Sequence, residues 1–122
     1  LLISIQMDKI KKVEVKPKNL IDYTNSNGIA PIREWLNGLD ISIAIRIRAR
    51  LRRVAMGNFG DAKTVGEGVS ELRFMFGGGY RIYFAQHENE IVVLLCGGDK
   101  STQSKDIEKA QLYWLDFQRR NK

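Results

Sequence analysis

The spacing of apolar residues along this chain distinguishes predicted strands from predicted helices. In strands apolar and polar residues alternate, whereas in helices the apolar residues recur every three or four positions. Residues 70–76 and 80–84 alternate with period two, which is typical of strands that bury one face. Residues 91–96 are apolar without interruption, which is typical of a central strand that is covered on both faces, wholly or in part. An earlier lysine-rich alternation over residues 13–20 predicts an edge strand.

The first half of the chain also predicts two helices. The shorter one begins at Pro31, a residue that the first turn of a helix tolerates, and it weakens at Gly38. The longer one covers residues 41–56, which alternate with period two but are too many for an ordinary strand. Asp40 and Gly57 fit an N-cap and a C-terminal glycine, so we expect a helix. Its apolar stripe consists of Ile43, Ile47, Leu51 and Val54.

A third helix is predicted near the C-terminus. It starts between Ser101 and Ser104, either of which could be its N-cap, and Asp106 lies in its first turn. A polar, glycine-rich loop that carries Lys63 is predicted at residues 62–69, before the three consecutive strands. The order strand, two helices, three antiparallel strands and helix predicts an α+β domain. The apolar stripe of the last helix consists of Ile107, Ala110, Trp114 and Phe117.

Charged side chains are predicted on the face of the sheet that lies opposite the core. Within residues 70–76 the apolar side chains face the core, so Glu71 and Arg73 fall on an open face. The returning strand directs Arg81 and Tyr83 outward by the same alternation. Two arginines on neighbouring strands are therefore expected to lie on one face.

A glycine turn between the last strand and the last helix carries a further cation. Gly97 and Gly98 end the apolar stretch, and Lys100 precedes the helix. A strand that continues through a glycine-rich turn into a helix start is a common way to present N–H donors and a charged group to a phosphate. Together with Arg73 and Arg81, Lys100 predicts an anion site that contains three cations.

Composition and charge narrow the class of partner. The 122 residues, 43% of them hydrophobic, suffice for one domain, and the net charge of +6 favours polyanions such as RNA or DNA. Residues 1–6 precede Met7 and are expected to be either an upstream extension or a cloning remnant, which leaves residues 7–122 as a single domain. Cys96 lies in an apolar stretch, so we expect a small buried hydrophobe and a cytoplasmic protein. No stretch reaches the ~18 apolar residues of a membrane span, so no membrane partner is expected.

Several familiar motifs are absent or incomplete. The sequence GGDKST lacks the glycine directly before lysine that a phosphate-binding P-loop requires, and GGGYR precedes a strand rather than the helix of a dinucleotide site. His87 is predicted in a hairpin turn, and no Cys, His and Asp cluster has the spacing of metal ligands. We therefore expect neither a metal nor another cofactor.

Four sequence blocks, taken in order, carry a resemblance to a known family. They are IREWLNGL, RVAMGNFGDAKTVGEGVSELRF, GGGYRIYF and LLCGGDKSTQSKDIEKA, and they cover roughly residues 31–112. The chain resembles the RelE/HigB-type toxins of bacterial type II toxin–antitoxin modules, in the branch of addiction-module killer proteins. This resemblance implies a RelE-like fold with about four mainly antiparallel strands, flanked by two N-terminal helices and one C-terminal helix. It also implies a ribosome-dependent mRNA endoribonuclease, or mRNA interferase, that cuts mRNA in the ribosomal A site.

The resemblance also implies roles for particular residues. Arg73 and Arg81 match the basic residues that contact the scissile phosphate, and Lys100 is the nearest match to a cation that supports cleavage. The catalytic tyrosine that RelE has near its last helix has no counterpart here before Tyr113. The additional residues expected to bind RNA are Lys63, Tyr83, Asp99 and Gln103. The residues expected to contact the antitoxin or the ribosome, or otherwise to form a solvated helix face, are Arg46, Arg50 and Arg53.

The expected reaction is metal-independent cleavage of RNA by attack of its own 2′-hydroxyl. Arg73 and Arg81 can stabilise the charge that grows on the phosphate, because guanidinium groups remain protonated and bind phosphate in a bidentate manner. Glu71 or Asp99 could accept a proton, although a salt bridge or a helix cap is the simpler interpretation of each. Lys63 and Lys100 could exchange protons only if neighbouring cations lowered their pKa values.

The sequence leaves two alternative functions open besides the nuclease. A ParE-like inhibitor of DNA gyrase shares the RelE fold and is not a nuclease, and a non-enzymatic RNA-binding module would use the same arginines. The resemblance implies a cognate antitoxin, of the helix-turn-helix type, as a partner beside mRNA and the bacterial ribosome.

Overall fold

The computed structural model describes residues 16–122, which form one five-stranded sheet with helices on both faces. The elements in chain order are β1 (Asn19–Asp22), α1 (Pro31–Asn37), α2 (Ile41–Ala55), β2 (Ala62–Gly66), β3 (Val69–Arg73), β4 (Arg81–His87), β5 (Ile91–Gly98), a 3₁₀ turn (Lys100–Thr102) and α3 (Gln103–Arg120).

The strand order in the sheet is β1-β5-β4-β3-β2. The β1 strand pairs parallel with β5, so that Asn19 lies opposite Ile91, and the remaining pairs are antiparallel. The predicted α+β class is confirmed, but the prediction of four mainly antiparallel strands is only roughly met. The sheet is mixed and has five strands. Residues 13–15 of the predicted edge strand, and residues 1–6, lie outside the described residues.

The fifth strand, β2, occupies part of the segment that was predicted to be a glycine-rich loop. Its side chains are mostly exposed, so hydrophobic burial leaves no alternating pattern in the sequence. The strand forms through backbone pairing with β3, in which Lys63 lies opposite Glu71, and the register shifts between Thr64 and Gly66. The loop prediction for residues 62–66 is therefore wrong.

The sheet separates two apolar clusters, one under α1 and α2 and one under α3. The first cluster contains Ile32, Leu36, Ile47, Leu51, Val54, Leu72, Phe74, Ile82, Phe84, Val92 and Leu94. The second contains Tyr23, Val69, Tyr83, Ala85, Val93, Leu95, Cys96, Ala110 and Trp114. Tyr83 and Glu71 lie on the predicted face of the sheet, but α3 covers this face, so the expectation that it is open to solvent is wrong for both residues. Both side chains are fully buried.

The segment whose residues alternate with period two forms the long helix α2, as its length and its end residues predict. Asp40 caps its start, since Oδ1 accepts a hydrogen bond from the backbone N–H of Ser42 at 3.1 Å. Gly57 follows its end with a φ of 95°, a backbone conformation that glycine adopts without a steric penalty. Buried Ile47, Leu51 and Val54 face the sheet, as the predicted stripe requires, while Ile43 is partly buried.

The start of α3 differs from the sequence-based prediction. Asp99, rather than a serine, caps the 3₁₀ turn that leads into the helix, and its Oδ1 accepts from the Ser101 backbone N–H at 2.8 Å. The carboxylate of Asp106 is buried and accepts from Thr102 Oγ1 at 2.5 Å. This carboxylate comes so close to β5 that a Cβ on Gly98 would lie 1.9 Å from Asp106 Oδ2.

Candidate functional site

The two predicted catalytic arginines lie side by side at one end of the sheet. Arg73 ends β3, Arg81 begins β4, and the two are directly opposite each other in the antiparallel pair. Arg81 is in turn opposite Gly98, which ends β5. Residues paired in this way point to the same face, here the face on which α3 begins. The end of the sheet therefore brings both arginines to the start of the last helix.

Lys100 approaches Arg81 through the turn that joins β3 to β4. The Lys100 backbone N–H donates to the carbonyl of Gly78 at 3.3 Å, and Arg81 Nη1 donates to the carbonyl of Gly79 at 2.6 Å. A Cβ on Gly79 would lie 3.2 Å from Arg81 Nη1 and 3.4 Å from Lys100 Cβ. Arg81 and Lys100 thus both lie next to Gly79, while the convergence of the three cations at one phosphate stays a prediction.

Arg73 is held by a residue that the sequence analysis did not select. Its Nη2 and Nε donate to Asp61 Oδ1 at 2.9 and 3.2 Å. This hydrogen bond and the charge of Asp61 raise the pKa of the Arg73 guanidinium, which is still 41% exposed. Asp61 belongs to the GNFGD block, but a single aspartate after a glycine gives no signal of its partner 12 residues later.

Arg81 is held by a buried carboxylate. The exposed fraction of Glu71 is 0%, and its Oε2 lies 3.5 Å from Arg81 Nε, while the Arg81 side chain is 13% exposed. Of the two roles open for Glu71, the salt bridge is the one observed. Gln103 Nε2 donates to the same Oε2 at 2.9 Å, so Gln103 connects α3 to this ion pair.

Three buried polar atoms around this ion pair lack a hydrogen-bond partner among residues 16–122. They are Glu71 Oε1, Arg81 Nε and the Tyr83 hydroxyl. Burial, followed by the nearby charge of Glu71, raises the pKa of Tyr83 well above its usual value, so the phenol stays neutral. A direct contact between Tyr83 and RNA would require α3 to move away from the sheet.

Two other residues that are expected to bind RNA, Lys63 and Asp99, lie on different elements and make different contacts. Lys63 is exposed on edge strand β2, opposite Glu71. Asp99 is engaged as the cap of the 3₁₀ turn, and the hydrogen bonds from the Ser101 hydroxyl and backbone N–H lower the pKa of its carboxyl. The Asp99 carboxyl is therefore ionised while it caps this turn, and a role of Asp99 in RNA binding stays a prediction.

The three arginines of α2 differ in their contacts. Arg50 donates to the carbonyls of Arg73, Phe59 and Asp61 at 2.6, 2.9 and 3.0 Å. Arg46 and Arg53 are exposed instead, with the guanidinium carbon of Arg46 3.7 Å from the centroid of the Phe76 ring. Together these arginines line a shallow groove with Phe74, Met75 and Phe76.

Other reactive groups in the described residues lie away from this end of the sheet. His87 is the last residue of β4, rather than part of the turn that follows, and its ring packs edge-on against Phe117 at 5.4 Å. Cys96 is buried as predicted, and burial raises the pKa of its thiol to about 12.

Among residues 16–122 no three His, Cys, Asp or Glu side chains are grouped to hold a metal ion. None of the helices in this range has the length and apolarity needed to cross a bilayer.

Comparison with known proteins assigns the family. Residues 34–113 match the family described as "Phage derived protein Gp49-like (DUF891)", and this range holds every residue of the site described above. An uncharacterized protein of Haemophilus influenzae strain Rd is 49% identical over 79 residues, which are 64% of this chain and 80% of that protein. The chain belongs to the Gp49-like family, a family of addiction-module killer proteins associated with toxin–antitoxin modules.

Proposed function

We propose that this protein is the toxin of a toxin–antitoxin module and that it cleaves mRNA on the bacterial ribosome. The proposal extends the family assignment from a toxin in general to a ribosome-dependent endoribonuclease that acts in the cytoplasm. Its activity would be neutralised by a cognate antitoxin of the helix-turn-helix type.

A single observation carries the proposal: Arg81 and Lys100 both lie next to Gly79, and Arg73 lies opposite Arg81 on the neighbouring strand. Cleavage of RNA by its own 2′-hydroxyl concentrates negative charge on one phosphate, and guanidinium groups at fixed positions stabilise that charge without reorganisation. In the proposed step the 2′-oxygen bonds to phosphorus and the bond from phosphorus to the 5′-oxygen breaks. A proton leaves the 2′-hydroxyl and another reaches the 5′-oxygen.

The proposed roles follow from the surroundings of each cation. Arg73 and Arg81 stabilise the pentacoordinate phosphate, and Lys100 assists them or donates the proton to the leaving oxygen. Neither carboxylate next to these cations suits a general base, because Glu71 is fully buried and Asp99 caps the 3₁₀ turn. We infer that the ribosome supplies the alignment of the RNA and the missing proton acceptor.

The principal test is Arg81→Ala in a reconstituted translation system, with mRNA ends mapped after the reaction. We expect the rate of mRNA cleavage to fall ~10²–10³-fold, about 2.7–4 kcal/mol in the barrier, if Arg81 acts like a donor of an oxyanion hole. Arg119→Ala is the matched control, because Arg119 is exposed in the last turn of α3. Full cleavage by a folded Arg81→Ala protein would refute the role of Arg81.

A second set of reactions separates the proposed function from its alternatives. The wild-type protein should cut mRNA when translating ribosomes are present and leave naked mRNA largely intact. Equal rates on both substrates would contradict ribosome dependence. Loss of DNA supercoiling by gyrase without mRNA cleavage would instead indicate a ParE-like inhibitor, and RNA binding without any cleavage would indicate a binding module.

A further inference from the structure

The fully buried carboxylate of Glu71 contacts side chains from two different elements. Its Oε2 lies 3.5 Å from Arg81 Nε on β4 and accepts a hydrogen bond of 2.9 Å from Gln103 Nε2 on α3. Burying a carboxylate costs free energy unless it is paired and hydrogen-bonded, so a glutamate at this buried position indicates a role other than filling the core. A stable core alone would favour an apolar residue here.

The second anchor of Arg81 lies on the opposite side of its guanidinium. Arg81 Nη1 donates to the carbonyl of Gly79 at 2.6 Å, while the Glu71 carboxylate approaches Nε. The hydrogen bond at Nη1 and the ion pair at Nε, which is not itself a hydrogen bond, together restrict rotation of the planar guanidinium. The Arg81 side chain is 13% exposed, so part of it remains accessible from solvent.

We propose that Glu71 and Gln103 are positioning residues that fix the guanidinium of Arg81 and tie the start of α3 to it. Gln103 lies three residues after Lys100. Its hydrogen bond to Glu71 therefore also fixes the position of Lys100 relative to Arg81. This inference deepens the proposed nuclease function and rests on it for its consequence in catalysis. Neither residue touches the substrate, because Glu71 is buried and Gln103 is engaged with it.

The first experiment measures the mobility of Arg81 without any RNA. In ¹⁵N NMR spectra of the whole protein, the Arg81 Nε–H signal should be sharp and slow to exchange with water. In Glu71→Gln the ion pair is lost while the size of the side chain is kept, so this signal should broaden and its hydrogen exchange should accelerate at least tenfold. Gln103→Ala should have the same effect to a smaller degree. Unchanged Arg81 dynamics in both variants would overturn the proposal.

The second experiment measures cleavage of ribosome-bound mRNA. Glu71→Gln should lower kcat by roughly tenfold with little change in KM, since binding of the ribosome does not involve this side chain. When Arg81→Ala is already present, adding Glu71→Gln should cause no further loss, because a positioning residue acts only through the group it positions. Additive losses in the double variant would show that Glu71 acts independently of Arg81 and would contradict the inference.

Matched controls separate positioning from stability. Glu108→Gln and Gln118→Ala make the same chemical changes at exposed positions on α3 and should alter neither Arg81 dynamics nor kcat. The variants are compared at a temperature where urea denaturation shows each of them to be folded. If the wild-type protein cleaves no mRNA at all, the proposed nuclease function fails, while the NMR experiment still decides whether Glu71 and Gln103 hold Arg81.

Discussion

At the scale of single residues, the two glycines before Lys100 permit close packing between β5 and its neighbours. A Cβ on Gly97 would lie 2.2 Å from the Trp35 ring, and one on Gly98 would lie 1.9 Å from Asp106 Oδ2. Both distances are shorter than any real contact of a Cβ atom. The two glycines therefore let Trp35 and the start of α3 approach β5, and an anion site at this turn stays a prediction.

Gly98→Ala is expected to displace the start of α3. The added methyl group meets the carboxylate of Asp106 and the hydroxyl of Thr102, so we expect a loss of about 1–3 kcal/mol in the free energy of unfolding, as for other overpacked sites. Urea denaturation measures this loss. Gly78→Ala is the control, because nothing lies within 4 Å of its added Cβ, and it should change stability by less than ~0.5 kcal/mol. Equal stability of the two variants would contradict the packing role of Gly98.

At the scale of elements, the sequence predicts those helices and strands that bury an apolar face or that begin and end at recognisable cap residues. The α2 helix was predicted despite its alternating residues, because Asp40 and Gly57 marked both ends of a stretch too long for a strand. The β2 strand was missed because its side chains are exposed and its pairing uses only backbone groups. Elements with no buried face leave little trace in a sequence.

The same limit applies to the candidate site. The positions of Arg73, Arg81 and Lys100 followed from strand alternation and from the turn after β5. Their partners did not, because Asp61 and Gln103 are reached across the fold and no local spacing encodes them. The burial of Glu71 was also missed, since alternation shows that two residues share a face but not that α3 covers that face.

The α2 helix carries arginines that look equivalent in the sequence and are not equivalent in the structure. Arg50 donates to three backbone carbonyls, which fixes the segment before β2 and the end of β3. Arg50→Ala should therefore lower the free energy of unfolding by about 1.5–3 kcal/mol, the range for hydrogen bonds that involve a charged group. Arg53→Ala, at an exposed position of the same helix, should stay within ~0.5 kcal/mol of the wild type. Thermal and urea denaturation of the two variants test this contrast, and equal destabilisation would contradict it.

The contrast also bears on partner binding by α2. Arg53 is exposed and can meet an acidic antitoxin segment or ribosomal RNA, Arg46 is exposed but also packs against Phe76, and Arg50 is committed to the fold. Loss of antitoxin or ribosome binding in Arg53→Ala would therefore report a direct contact. The same loss in Arg50→Ala would report a displaced end of β3, where Arg73 stands.

At the scale of the whole molecule, the net charge of +6 should make RNA binding strongly dependent on salt. If four cations at the site and on β2 each contact one phosphate of a single strand, the logarithm of the binding constant should fall with the logarithm of salt concentration with a slope of roughly −2.8. The four cations are Lys63, Arg73, Arg81 and Lys100. This slope corresponds to a loss of roughly 50-fold in affinity between 50 and 200 mM salt.

Individual substitutions show which cations contribute to the salt dependence of RNA binding. Lys63→Ala removes one exposed cation from the edge strand and should reduce the magnitude of the slope by roughly 0.7, with the fold unchanged. Arg119→Ala lowers the net charge equally but at the far end of α3, so it should leave the slope almost unchanged. Fluorescence anisotropy with a short single-stranded RNA measures both slopes. If the two variants reduce the slope equally, the net charge attracts RNA without a defined site, whereas a selective effect of Lys63→Ala indicates that the strand edge contributes to one interface.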